Sequence, residues 1–240
     1  RVEKRDIPLF VLGGLFQPFL YFIFETYTYQ SFASPTIAEA MLSTQPIMAP
    51  ILAFIILREK VTRNNVVGIL ISTVGMLLLL LVGANNFALG NPWGVLLAIV
   101  TVSMSVGYTI ILRRIPTRYS SLSIVFYVQL VALVLFYAVW GVFDRQSLQD
   151  TIVPLSADLS PVIAVGYLAV FASVTAFILF CYTVRQIGVT RANVFNNVRP
   201  VFTALLMWVI FDEQLPIWKW VGIIVIVIGL FISQKQRKIE

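Results

Sequence analysis

The chain has 240 residues, 59% of them apolar and only 12% charged, with a formal net charge of +6. Soluble domains hold about 45 to 50% apolar and about 25% charged residues, so this composition excludes a water-exposed globule. One cysteine, Cys181, and no histidine exclude disulfide frameworks, zinc sites and imidazole-based catalysis; no cofactor or metal is expected.

Apolar runs long enough to cross a bilayer occupy about 7 to 31, 35 to 57, 64 to 83, 92 to 112, 121 to 143, 161 to 184, 189 to 211 and 217 to 234. Turn chemistry separates them at Ser34-Pro35, from Gly83 to Pro92, from Arg113 to Ser120, at Gly188 and at Pro216. The longest loop, Asp144 to Ser160, is polar and holds Pro154. The expected fold is therefore an all-α polytopic membrane bundle of eight spans.

Lys and Arg fix an orientation, because cytoplasmic loops carry the excess. Alternate loops collect 14 of the 17 basic residues on one side, and the other side holds only Arg145 and Lys219. The last, Arg199, lies inside a span. An error of one helix would mix the two sets, so both termini of this chain are expected on the cytoplasmic side of the plasma (inner) membrane. Basic residues clustered between apolar runs fit an oriented membrane protein and do not fit nucleic acid binding.

The chain matches itself at an offset of 154, where residues 36 to 75 align with 190 to 229 without a gap. Ten positions are identical, among them Pro46/Pro200, Glu59/Glu213, Gly68/Gly222 and Gly75/Gly229. The loop charges give the two copies opposite topology. Inverted repeats of this kind let one structure open alternately to either side, with substrate held near the midplane between them.

A mid-helix Pro, a helix-end Glu and two Gly seven apart in the next helix, all duplicated, resemble the EamA-type drug/metabolite transporter superfamily. The resemblance covers essentially the whole chain and implies five helices per repeat, ten in all, with both termini cytoplasmic. Here residues 1–83 hold three helices and 84–240 hold five. The chain starts at Arg1 in a basic segment suited to the loop before a third helix, so a chain lacking two upstream helices is expected.

A charge near the bilayer centre costs at least about 2.5 to 3.5 kcal/mol, which makes each one a functional hypothesis. Arg199 suits a substrate carboxylate or phosphate through its guanidinium fork; a structural pair with a Glu or with helix-end carbonyls is the bland alternative. Glu25 and Glu39 are candidates for carrying a coupling proton, against a plain helix-dipole role for Glu39. Asn193, Asn196 and Asn197 share a helix face with Pro200, and Gln45 is the repeat equivalent of Arg199. These residues are expected to line a central cavity with Gln17 and Tyr182, and more weakly with Tyr21, Tyr108 and Gln129. Interhelical hydrogen bonding explains the Asn residues equally well. Pro46 and Pro200 are the expected hinges. Trp93, Trp140, Trp218 and Trp220 read as interfacial anchors, Glu59 and Glu213 as structural helix-end groups, and the paired Gly residues as packing sites.

The expected activity is export or exchange of small polar metabolites, such as amino acids or organic anions, by alternating access. The expected partners are that solute and the lipid bilayer; the sequence leaves the oligomeric state open. A non-transporting scaffold or inactive fragment is the competing reading. A membrane enzyme is a weaker one, since no acidic or metal-ligating cluster gathers at one membrane face.

Overall fold

The computed structural model describes residues 2–32, 35–81, 92–143, 160–211 and 216–234. Glu213, Arg145, Pro154, the Asn85-Asn86 turn and the basic C-terminal residues lie outside the described residues, as do the side chains of Trp140 and Pro200. The described chain is all helical. Its helices are α1 (Ile7–Gly14), α2 (Tyr21–Ser31), α3 (Pro35–Leu42), α4 (Gln45–Leu57), α5 (Arg63–Leu81), α6 (Pro92–Arg114) and α7 (Ser121–Phe143). They continue with α8 (Ser160–Tyr167), α9 (Ala176–Ile187), α10 (Val189–Val194), α11 (Arg199–Phe211) and α12 (Ile217–Gln234). Wide-turn segments, Leu15–Leu20 and Leu168–Thr175, join α1 to α2 and α8 to α9, and a tight turn, Phe195–Val198, joins α10 to α11.

Six of these stretches are long and apolar enough to cross a membrane, among the described residues: Ile7–Ser31, Ile37–Leu57, Pro92–Arg114, Ser121–Val139, Val162–Ile187 and Ile217–Gln234. The other two expected spans are also helical. One is α5, whose apolar stretch is shorter, and the other is α10 with α11, which the Phe195–Val198 turn and Arg199 interrupt.

The core forms around α6. Its Val102, Val106, Tyr108 and Leu112 are buried against Ala49 and Ala53 of α4, Ile124 and Val128 of α7, and Cys181 and Val184 of α9. Small residues on α4 let it approach α6 closely. The outward faces are apolar as well, with Phe54, Ile55, Phe126 and Phe231 exposed. Such an exterior suits acyl chains and not water.

Helices α5 and α12 meet backbone to backbone. A Cβ added at Gly75 would lie 2.7 Å from the Ile226 nitrogen and 2.8 Å from the Gly222 oxygen; one at Gly229 would lie 2.7 Å from the Gly68 oxygen. Gly68 thus meets Gly229 while Gly75 meets Gly222, so the helices run antiparallel. The packing role expected for these glycines holds.

Basic loops gather at one end of the bundle with their acidic partners. Arg118 binds Asp6 and, at 2.8 Å, Glu3, while the Tyr119 hydroxyl donates to Asp6 at 2.8 Å. Glu59, just beyond α4, accepts hydrogen bonds from the backbone N–H of Val189 at 3.1 Å and Thr190 at 3.3 Å. These are orphan donors at the start of α10, so Glu59 caps that helix and meets the expected structural role. Gly188 precedes them with φ of 87°, a conformation that glycine adopts without strain.

Candidate functional site

Three helix interruptions converge on one cavity. In the first, Pro18 follows Gln17, and a residue before proline is pushed out of the helical region. Gln17 accordingly has φ −147° and ψ 124° inside an otherwise helical run. In the second, α3 ends at Leu42 and α4 restarts at Gln45 with Pro46 in its first turn. In the third, the Phe195–Val198 turn precedes Arg199 and Pro200, which begin α11. Proline fits the first turn of a helix because no hydrogen bond is asked of its nitrogen there. At Pro46 and Pro200 the chain therefore tightens into a short turn just before each proline.

The cavity has a volume of about 400 Å³ and is lined by Gln17, Tyr21, Phe22, Glu25, Gln45, Ser105, Ala176, Phe177, Phe180, Asn196 and Arg199. A narrow recess next to it is lined by Tyr21, Glu39, Leu42, Ser43, Gln45, Val102, Asn196 and Arg199. Arg199 is exposed, lines both spaces, and has Glu39, Tyr21 and Glu25 as its electrostatic partners. The Tyr21 hydroxyl donates to Glu25 Oε1 at 2.6 Å, and the Tyr29 hydroxyl donates to Glu39 Oε2. One cation thus shares these adjoining spaces with two carboxylates, each held by a tyrosine. Phe22, Phe177 and Phe180 supply an apolar wall.

The structure brings together Gln17, Glu25, Gln45, Asn196 and Arg199 on the cavity, with Glu39 on the adjoining recess. It separates the rest. Asn193 is fully buried, accepts from Gln45 Nε2 at 2.6 Å and donates to the Val189 carbonyl at 2.8 Å. Asn197 is also fully buried and donates to Ser72 Oγ at 2.9 Å. Both lie on neither wall and serve as interhelical hydrogen-bonding groups. Tyr182 is 57% exposed, lines neither space, and faces outward because its neighbour Cys181 faces the core. Tyr108 is fully buried edge-on to Phe177, behind the cavity wall.

Sequence reasoning passed over Phe22, Ser105, Phe177 and Phe180, which sit in apolar spans with no local signal that marks them. Tyr29 carried a signal of sorts, being a hydroxyl ten residues before Glu39.

A profile of the EamA-like transporter family matches residues 2–81 and 92–234. This chain belongs to that family. Similar to this chain is the transporter YetK of Bacillus subtilis (strain 168), 29% identical over 240 residues, spanning 99% of this chain and 71% of YetK. An S-adenosylmethionine/S-adenosylhomocysteine transporter of Chlamydia muridarum (strain MoPn / Nigg) is 27% identical over 184 residues, 71% of this chain and 55% of its own. A protein of known crystal structure shares the fold with a TM-score of 0.73 at 19% identity, over 97% of this chain and 76% of that one. This EamA-like chain is thus a multi-pass membrane protein of a transporter family, and the two relatives above are named as transporters.

Proposed function

We propose that this protein is a secondary-active exporter or exchanger of small polar metabolites, working by alternating access between two inverted repeats of eight spans in all. The repeats are residues 1–83 and 84–240, and the chain lies in the plasma (inner) membrane with its termini cytoplasmic. The antiparallel contacts Gly68 with Gly229 and Gly75 with Gly222 support this arrangement, because the offset of 154 turns each into the other. A two-fold axis in the membrane plane has that property.

The observation that carries the reading is Arg199 lining both the cavity that Glu25 lines and the recess that Glu39 lines. Arg199 matches a solute carboxylate through paired N–H donors, and Glu25 matches a basic group on the same solute. The preferred substrate therefore carries an α-amino-acid head, a group that S-adenosylmethionine and S-adenosylhomocysteine both contain. Binding to purified protein, read as thermal stabilisation across a panel of amino acids, organic anions and their N-acetyl and amide derivatives, tests this directly. Stabilisation by parent compounds, lost on blocking either end, supports the head-group assignment. Equal stabilisation by simple dicarboxylates would remove Glu25 from recognition.

A further inference from the structure

The offset of 154 pairs Gln45 with Arg199 and Glu39 with Asn193. Applied to the hydrogen bond between Gln45 and Asn193, it yields Arg199 with Glu39. Those two residues line the same recess, and Glu39 is the foremost electrostatic partner of Arg199. One copy thus holds a hydrogen-bonded amide pair where the other sets a carboxylate and a guanidinium on one recess. Asn193 lies toward the end where Glu59 caps α10 and the basic loops gather; Glu39 lies toward the opposite end, in α3.

We propose that these pairs are the two latches of the transport pathway: Gln45 with Asn193 closes it on the side of the basic loops, Glu39 with Arg199 on the other side. The inference rests on the inverted-repeat reading, in which the two halves exchange conformations so that one latch parts as the other forms. Chemistry makes the latches unequal. Gln45 is 7% exposed and Asn193 fully buried, so parting them strands two amides unless water enters. The Glu39 and Arg199 pair borders an open cavity, where an incoming carboxylate can take over Arg199. Solute therefore draws Arg199 from Glu39 and keeps the charged latch parted while the amide latch stays shut, which makes the solute-loading state the one closed toward the basic loops.

The test places a reporter cysteine at Ala176, on the cavity wall, in a Cys181→Ser background. Its labelling by a membrane-impermeant maleimide is then measured in right-side-out and inside-out vesicles. Asn193→Leu is expected to raise labelling several-fold from the basic-loop side alone, and Glu39→Gln to raise it from the opposite side alone. The exchanged double variant Gln45→Asn with Asn193→Gln keeps an amide pair and is expected to label like the parent, which separates latch loss from misfolding. Equal change from both sides in Asn193→Leu, or increased labelling in the exchanged pair, would overturn the proposal. Labelling requires no solute, so a sided response without any transported compound would retain the latches and remove only the substrate reading.

Discussion

The Tyr21 hydroxyl donates a 2.6 Å hydrogen bond to Glu25, one helical turn ahead of it on α2, and the same tyrosine is an electrostatic partner of Arg199. A single phenol thereby binds one carboxylate of the cavity and lines the same wall as the guanidinium. Removing the hydroxyl while keeping the ring isolates that role. A hydrogen bond to a charged group contributes about 1.5 to 3 kcal/mol, so Tyr21→Phe is expected to raise the KM for counterflow by roughly ten-fold or more with protein yield unchanged. An unchanged KM would leave Tyr21 as wall only.

Glu25 and Glu39 differ in what each faces: Glu25 lines the wide cavity and Glu39 the narrow recess. If Glu25 carries the coupling proton as well as meeting the solute's basic group, Glu25→Gln raises the KM for counterflow but keeps exchange at saturating solute, which needs no net proton movement, and loses accumulation driven by a pH gradient. A pH-sensitive dye trapped in proteoliposomes reads the difference. Proton movement that persists in Glu25→Gln and disappears in Glu39→Gln would transfer the role to Glu39.

Much of this arrangement was legible in the chain before any coordinates. The duplicated Gly68, Gly75, Gly222 and Gly229 marked a close helix contact, and the structure packs those glycines on each other. Rare intramembrane charges pointed to Arg199, Glu25 and Glu39, since an apolar span makes each one conspicuous. Asn193 and Asn197 were misplaced for a definite reason. Three- and four-residue spacings define one face only while the α-helix persists, and the tight turn at Phe195–Val198 rotates the chain between Asn193 and Arg199. Tyr182 failed likewise, because an amphipathic ring in an apolar span carries no sign of which way it faces. The aromatic wall at Phe22, Phe177 and Phe180 was beyond reach, for phenylalanine in a membrane span is equally at home against lipid.

Close approach of α5 and α12 makes their glycines intolerant of any side chain. A Cβ at Gly75 would lie 2.7 Å from the Ile226 nitrogen and 2.8 Å from the Gly222 oxygen, so relief requires backbone movement. Overpacking costs about 1 to 3 kcal/mol, and Gly75→Val is expected to lower the detergent-state melting temperature by several degrees. Gly166 has nothing within 4 Å of an added Cβ, and Gly166→Ala serves as the control expected to leave it unchanged.

At the basic end, the Tyr119 hydroxyl and then the Arg118 guanidinium hold the Asp6 carboxyl below its usual range. A carboxyl whose pKa is lowered by folding stabilises the folded state above its unfolded value. That contribution is lost as the pH falls through the lowered folded value. Asp6→Asn is accordingly expected to be less stable than the parent at neutral pH, with the gap closing under acid. Melting curves from pH 7 downward check the sign, and a gap that widens under acid would contradict it.

The most direct test of the central claim is counterflow in proteoliposomes with labelled amino acids and small organic anions, comparing the parent with Arg199→Gln. The account predicts saturable exchange of a solute with an α-amino-acid head in the parent and its loss in Arg199→Gln. Exchange that proceeds with the same KM and maximal rate in Arg199→Gln would contradict a binding site built around this arginine.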